Sequence, residues 1–206
     1  MTENANESAN EPVDFAAQTH LVAQLAERVR DDQLAGPTPC EDTAVRQLLG
    51  HIVGLTAAFR DAARKDLGPT TDTSPGSVMP DISDVADWRS VLPRNLTELA
   101  EAWRDPKAWE GDTRAGGVDL PAAVAGQVAM NELVVHGWDL ARATGQEYAP
   151  DPASPQVAYE LLAASPDGPS REGIFGPIVA VPDDAPLLDR VVGLSGRRPD
   201  WSADQG

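Results

Sequence analysis

Glu132 and His136 stand four residues apart in the segment NELVVHGWDLARATG. On a helix that advances about 100° per residue, positions i and i+4 project from one face, one turn apart, a geometry that chelates a metal ion. The same face carries Ala125, Val128, Ala129 and Val135. A carboxylate among apolar side chains is too costly to persist unpaired, so Glu132 requires a partner. Met130, Val134 and Ala141 make the other side of this helix apolar as well, which predicts that it is covered on both sides. His51 shows the same oddity on an earlier helix, with Ala44, Leu48, Leu55, Ala58 and Ala62 as neighbours on its arc. If the two helices pack side by side, one imidazole and the Glu-x-x-x-His pair form a facial three-ligand set that leaves positions open for water or substrate. Two histidines and one carboxylate suit zinc, and also nickel, iron or manganese. Each feature alone has an ordinary explanation. A Glu-x-x-x-His pair is more often a surface ion pair, and an inward histidine is more often a satisfied core residue. Both on apolar arcs together point to a divalent metal held by His51, Glu132 and His136.

The remaining candidates carry less. Asp139, three residues after His136, has two readings: a structural bond to Arg142 or a backbone group, which is favoured, or an acceptor that orients a ligand imidazole. His20 falls between the apolar positions of its helix and reads as a solvated surface residue. Cys40 lies in a Pro-flanked loop where a helix dipole would lower its pKa but Glu41 and Asp42 oppose that, so a catalytic thiol is not expected. Trp88, Trp103, Trp109 and Trp138 read as core and interface packing.

The elements that position these groups follow from hydrophobic period. Phe15, Gln18, Val22, Leu25, Ala26 and Val29 recur at helical spacing over 13–30, and GPTP stops that helix. Asp42 or Thr43 is placed to cap a second helix, which Val45, Leu48, Leu49, Ile52, Leu55 and Phe59 carry to about Lys65. GPTTDTSPGSVMPD reads as an exposed loop. A third helix is predicted over 84–103, with Pro93 inside it as a point of bending or restart. An extended stretch follows over 109–117. The fourth and clearest helix runs from Leu120 and Pro121 to Ala143, with Gly145 just past its end. A short helix over 155–164, an extended FGPIVAVP and a last helical turn or two over 185–194 complete the chain. Four long helices without a run of alternating strands predict an all-α four-helix bundle. The expected division is a disordered tail at 1–11, a metal-binding bundle at 12–146 and a C-terminal extension at 147–206 that packs on it.

Composition narrows the function. The chain has 206 residues and a formal net charge of -17, so its surface repels nucleic acid and anionic membranes. It shows no uninterrupted apolar run long enough to span a bilayer, and MTENANESANEP lacks the features of a secretory signal, so a cytoplasmic location is expected. With Cys40 as the single cysteine, neither an internal disulfide nor a Cys-rich zinc site is available, and any metal must take N and O ligands.

Three blocks of sequence, TPCEDTAVRQLLGHIVG, NELVVHGWDLARATG and FGPIVAVPDDAPLLDRVVGLSGRRPDW, resemble the actinobacterial metal-binding proteins related to the N-terminal domain of mycothiol-dependent maleylpyruvate isomerase, within the DinB-like superfamily. The resemblance runs from about Phe15 to Trp201. The family's usual Trp after the TPC turn is replaced by Thr43. It implies a DinB-like bundle and a divalent metal, usually zinc, with His51, Glu132 and His136 on the three ligand positions. It also implies transfer of a low-molecular-weight thiol such as mycothiol, the metal stabilising the thiolate, to a small electrophile. A metal-braced helical binding protein without turnover and a metal-dependent hydrolase, with Asp139 as its base, are the alternatives. The expected partners are a small thiol and an electrophilic substrate, with no nucleic acid and no membrane, for a monomer or homodimer.

Overall fold

The structure is a computed structural model that describes residues 13–74, 80–165 and 175–203. Four long helices form its frame: α1 (Ala16–Glu27), α2 (Val45–Arg64), α4 (Trp88–Trp103) and α5 (Ala122–Thr144). Between α2 and α4 lies the single-turn α3 (Pro69–Asp72). Strands β1 (Asp112–Ala115) and β2 (Val118–Pro121) pair antiparallel between α4 and α5, with Thr113 opposite Leu120. Helices α6 (Ala153–Ala163) and α7 (Leu187–Leu194) follow. Both α1 and α2 pack against α4 and α5, which closes a ring of four helices, while α6 packs on α5 and α7 on α6. The chain is thus an all-α four-helix bundle with a short C-terminal extension and one small hairpin.

The apolar stripes read from the sequence meet inside this ring. Leu25, Leu48, Leu49, Ile52, Leu96, Leu99, Met130 and Leu133 are all fully buried. Phe15 stacks on Trp103 at 5.8 Å between centroids, and Trp103 meets Trp109 edge-on at 4.8 Å. Trp138 is buried as well, in line with a packing role. Helix α5 is covered on both sides, with Val128 and Glu132 among the few positions of its middle turns that keep partial exposure. Gly145 ends it in the left-handed conformation at φ 68°, and the Gln146 N–H donates back to the Ala141 carbonyl at 2.9 Å.

Several boundaries differ from the sequence reading, each for a local reason. Helix α2 is not capped by Asp42 or Thr43: Asp42 takes a positive φ of 55°, Ala44 is the N-cap, and Gln47 reaches back to accept its N–H at 2.9 Å. The predicted loop at 68–81 contains α3, because the Thr71 hydroxyl accepts the Gly68 N–H and is buried, and residues 75–79 lie outside the described residues. Helix α4 starts at Trp88 rather than near Asp84, after a separate 3₁₀ turn over Ile82–Asp84 capped by Asp81, and it runs through Pro93 without ending. The extended stretch before α5 is the β1–β2 hairpin, and its second strand delays the start of α5 to Ala122. The expected tail at 1–11 lies outside the described residues.

Gly50 allows the segment before α4 to lie on α2, since a Cβ there would stand 2.1 Å from the Pro80 carbonyl oxygen. Arg46 on α2 holds the same segment by an ion pair with Asp81 at 2.8 Å.

Candidate metal centre

Contact between α2 and α5 brings the three predicted side chains together. Glu132 Oε2 lies 3.1 Å from His136 Nε2 and 3.5 Å from His51 Nε2. One nitrogen or oxygen from each of the three residues falls within 4.8 Å of the others. Ligands about 2.1 Å from a tetrahedral ion stand about 3.4 Å apart, so the 3.1 and 3.5 Å separations from Glu132 suit such a donor set. The imidazoles meet edge-on, with centroids 4.7 Å apart and planes at 82°, so Glu132 sits between two rings rather than beside a stack. His51 and Glu132 keep 24% and 21% of their side-chain surface exposed, against 10% for His136, so the cluster opens to solvent on the His51 side.

The electrostatics follow from burial and contact. Burial works against the Glu132 charge, but hydrogen bonds with His136 and His51 and the charges of those rings outweigh it and hold the carboxyl well below the usual carboxylate range. Burial likewise opposes a charged His136. The hydrogen bond with Asp139 and the contacts with Glu132 win, and its pKa is pushed up to about 10. Both shifts favour a charged Glu132 carboxylate facing a charged His136 ring.

Behind His136, Asp139 Oδ2 lies 3.0 Å from Nδ1, and Asp139 is wholly buried. Its remaining partner is Arg197, whose Nε and Nη2 donate to Oδ1 and Oδ2 at 3.3 and 3.1 Å. The favoured reading of Asp139 as bonded to Arg142 or a backbone group is thus corrected in its partner: Asp139 pairs with Arg197 and also backs the His136 imidazole, while Arg142 donates to the Trp201 carbonyl. Burial raises the Asp139 pKa, but the Arg197 charge and the His136 bond outweigh it and keep the carboxyl ionised.

His20 is exposed on α1, away from the cluster, as its off-stripe position implied. Cys40 is half-buried in the loop before α2, with its sulfur 3.3 Å from Arg197 Nη2. Sequence reasoning missed Arg197. The only signal was its place in the block GRRPDW, where no helical period marks which arginine points inward.

Comparison with known proteins follows the same lines. Residues 15–141 match the family described as the mycothiol maleylpyruvate isomerase N-terminal domain. Two uncharacterized proteins of Mycobacterium tuberculosis, one from strain CDC 1551 and one from strain H37Rv, are each 28% identical over 186 residues, covering 88% of this chain and 93% of theirs. Among solved structures, a histidine-to-alanine mutant of the mycothiol-dependent maleylpyruvate isomerase superposes with a TM-score of 0.54 at 18% identity, over 73% of this chain and 65% of that one. The unmutated isomerase gives a TM-score of 0.51 at 17% identity with the same coverage. At that identity the likeness concerns the fold.

Proposed function

Because the chain belongs to the mycothiol maleylpyruvate isomerase N-terminal domain family, we propose that His51, Glu132 and His136 hold one divalent metal ion, and that the protein uses it to transfer a low-molecular-weight thiol of the mycothiol type to a small electrophile. The observation that carries this reading is the convergence of two imidazoles and a carboxylate, drawn from α2 and α5, within 4.8 Å. Their chemistry suits zinc first, with nickel, iron or manganese as alternatives. When bound, the ion would supply Lewis acidity that lowers the pKa of a thiol and favours the nucleophilic thiolate.

The chain's own residues then have distinct tasks. His136 and Glu132, one turn apart on α5, fix one side of the site. His51 closes it from α2 and marks the side on which solvent and substrate enter. Asp139 accepts from His136 Nδ1, which leaves Nε2 facing Glu132 and His51.

Two observations weigh between this reading and its rivals. Exposure of His51 and Glu132 leaves an approach to the cluster, which favours turnover over a purely bracing role for the ion. A hydrolase would need a general base, and Asp139 is unsuited to that task because it is wholly buried and saturated by His136 and Arg197. We further propose residues 12–146 as the metal-binding bundle and 147–206 as an extension packed on it. The net charge of -17 and the lack, among the described residues, of a helix long and apolar enough to cross a membrane support small-molecule partners in the cytoplasm.

Elemental analysis of the purified protein tests the first claim: about one metal per chain, lost in Glu132→Ala and in His51→Ala. A metal-free wild type, or variants that keep full occupancy, would refute the site. Thiol transfer is tested by consumption of mycothiol with a panel of small electrophiles, expected to be faster for metal-loaded wild type than for His136→Ala. Equal rates would remove the thiol-transfer assignment.

A further inference from the structure

Arg197 belongs to the segment that leaves α7, yet its guanidinium is spent inside the bundle. The backbone that delivers it is tightly built. Its own N–H donates to the Val192 carbonyl at 3.0 Å, and the Val179 N–H donates to the Gly193 carbonyl at 3.0 Å. Gly196, just before it, takes a φ of 87° and lies so close to Gly176 that a Cβ there would stand 2.7 Å from the Gly176 Cα. Any other residue at 196 would be strained by conformation and by contact alike.

The side chain keeps only 11% of its surface exposed, and each of its three nitrogens has an acceptor. Nη1 donates to the Ser195 carbonyl at 2.9 Å, Nε and Nη2 fork onto the two oxygens of Asp139, and Nη2 also faces Cys40 Sγ. A bidentate fork fixes the plane of a carboxylate as well as its position. Asp139 Oδ2 is shared between that fork and His136 Nδ1, so the plane of the carboxylate sets the direction from which the imidazole is held. Through Cys40 the same guanidinium touches the loop that leads into α2, the helix that carries His51.

We infer that Arg197 is a positioning residue for the metal centre: it clamps Asp139 so that His136 presents Nε2 to Glu132 and His51, and it makes the segment after α7 part of the site's support. The inference rests on the reading of the three residues as metal ligands, and deepens it by naming a residue remote in sequence on which their geometry depends.

Arg142 provides the control. It anchors the same terminal segment from α5, through the Trp201 carbonyl, without touching Asp139. In the full chain, Arg197→Met is expected to weaken Zn2+ affinity, measured by competition with a chromophoric chelator, by about 10–100-fold. Arg142→Met should leave it at the wild-type value. Arg197→Lys, which keeps the charge but not the fork, should fall between the two and stands in if the methionine variant does not fold. A second readout needs no metal: the His136 Nδ1 proton, bonded to Asp139 and therefore shifted downfield in NMR spectra of the metal-free protein, should move upfield or exchange faster in the Arg197 variants only. Wild-type affinity together with an unchanged His136 signal would overturn the inference, and so would equal losses in the Arg142 and Arg197 variants. If the wild type binds no Zn2+, the metal reading fails, and the His136 signal alone decides whether Arg197 positions the ring.

Discussion

Glu132 is the residue on which the cluster turns, because its carboxylate oxygen faces both imidazoles. In the metal-free protein its two neighbours are unequal. His136 is nearer, more buried and bonded to a second carboxylate, whereas His51 stands 3.5 Å away with a quarter of its side chain exposed. Removing His136 leaves the partly exposed Glu132 and the wholly buried Asp139 each with one fewer partner, and breaking a buried pair of the Asp139 kind typically costs about 3–5 kcal/mol. Removing His51 takes away a longer contact at the open side and should cost under about 1 kcal/mol. Chemical denaturation of His136→Ala and His51→Ala without added metal is therefore expected to separate them clearly, although both remove a proposed ligand. Equal stabilities would mean that Glu132 does not depend on His136 for its charge balance. The spacing of Glu132 and His136 was legible in the sequence because both lie on one helix. The partner behind them was not, since Arg197 is 58 residues from Asp139 and sits on irregular backbone.

At the scale of elements, apolar period located all four long helices, and the differences fell where side-chain caps or the backbone pairing of the β1–β2 hairpin, rather than burial, set the boundary. Gln47 took over the capping that Asp42 or Thr43 was expected to provide. The turn α3 forms inside a stretch rich in Pro, Gly, Ser and Thr because it is tied down from α2. Asp61 near the end of α2 makes that tie: it accepts from Arg60 Nε at 2.7 Å and from the Thr70 hydroxyl at 2.8 Å. Burial opposes its charge, but the bond to Arg60 and that to Thr70 outweigh the penalty and lower its pKa from the ordinary 3.8. A depressed folded-state pKa gives stability that is present above the unfolded value and is lost as pH falls through the folded one. Asp61→Asn should thus cost about 1–2 kcal/mol at neutral pH. The gap from wild type should narrow only below pH 3.8, where the native carboxyl takes up its proton. A constant gap across that range in thermal melts would show that the loss is one of packing or hydrogen-bond geometry and not of charge.

The whole molecule carries 33 acidic against 16 basic side chains, and its net charge of -17 acts over a compact body. A folded chain of this length has a radius of gyration of about 17 Å. At 10 mM salt the screening length is about 30 Å, so every charge feels the rest, whereas at 150 mM it is about 8 Å and only neighbours interact. Screening therefore relieves the self-repulsion of the folded state more than that of the expanded unfolded chain. The opposing effect is the weakening of exposed ion pairs such as Arg30–Asp32 and Arg198–Asp200, whose side chains are all about two-thirds exposed or more. Pairs of that kind contribute about 0–1 kcal/mol each, and the enclosed set of His136, Asp139 and Arg197 is screened much less by salt. Self-repulsion should dominate, and the melting temperature of the metal-free protein is expected to rise by about 2–4 °C between 10 and 150 mM NaCl, equivalent to about 1 kcal/mol for a chain of this size. A fall over the same range would mean that the surface pairs act as a cooperative network and outweigh the repulsion of the acidic excess.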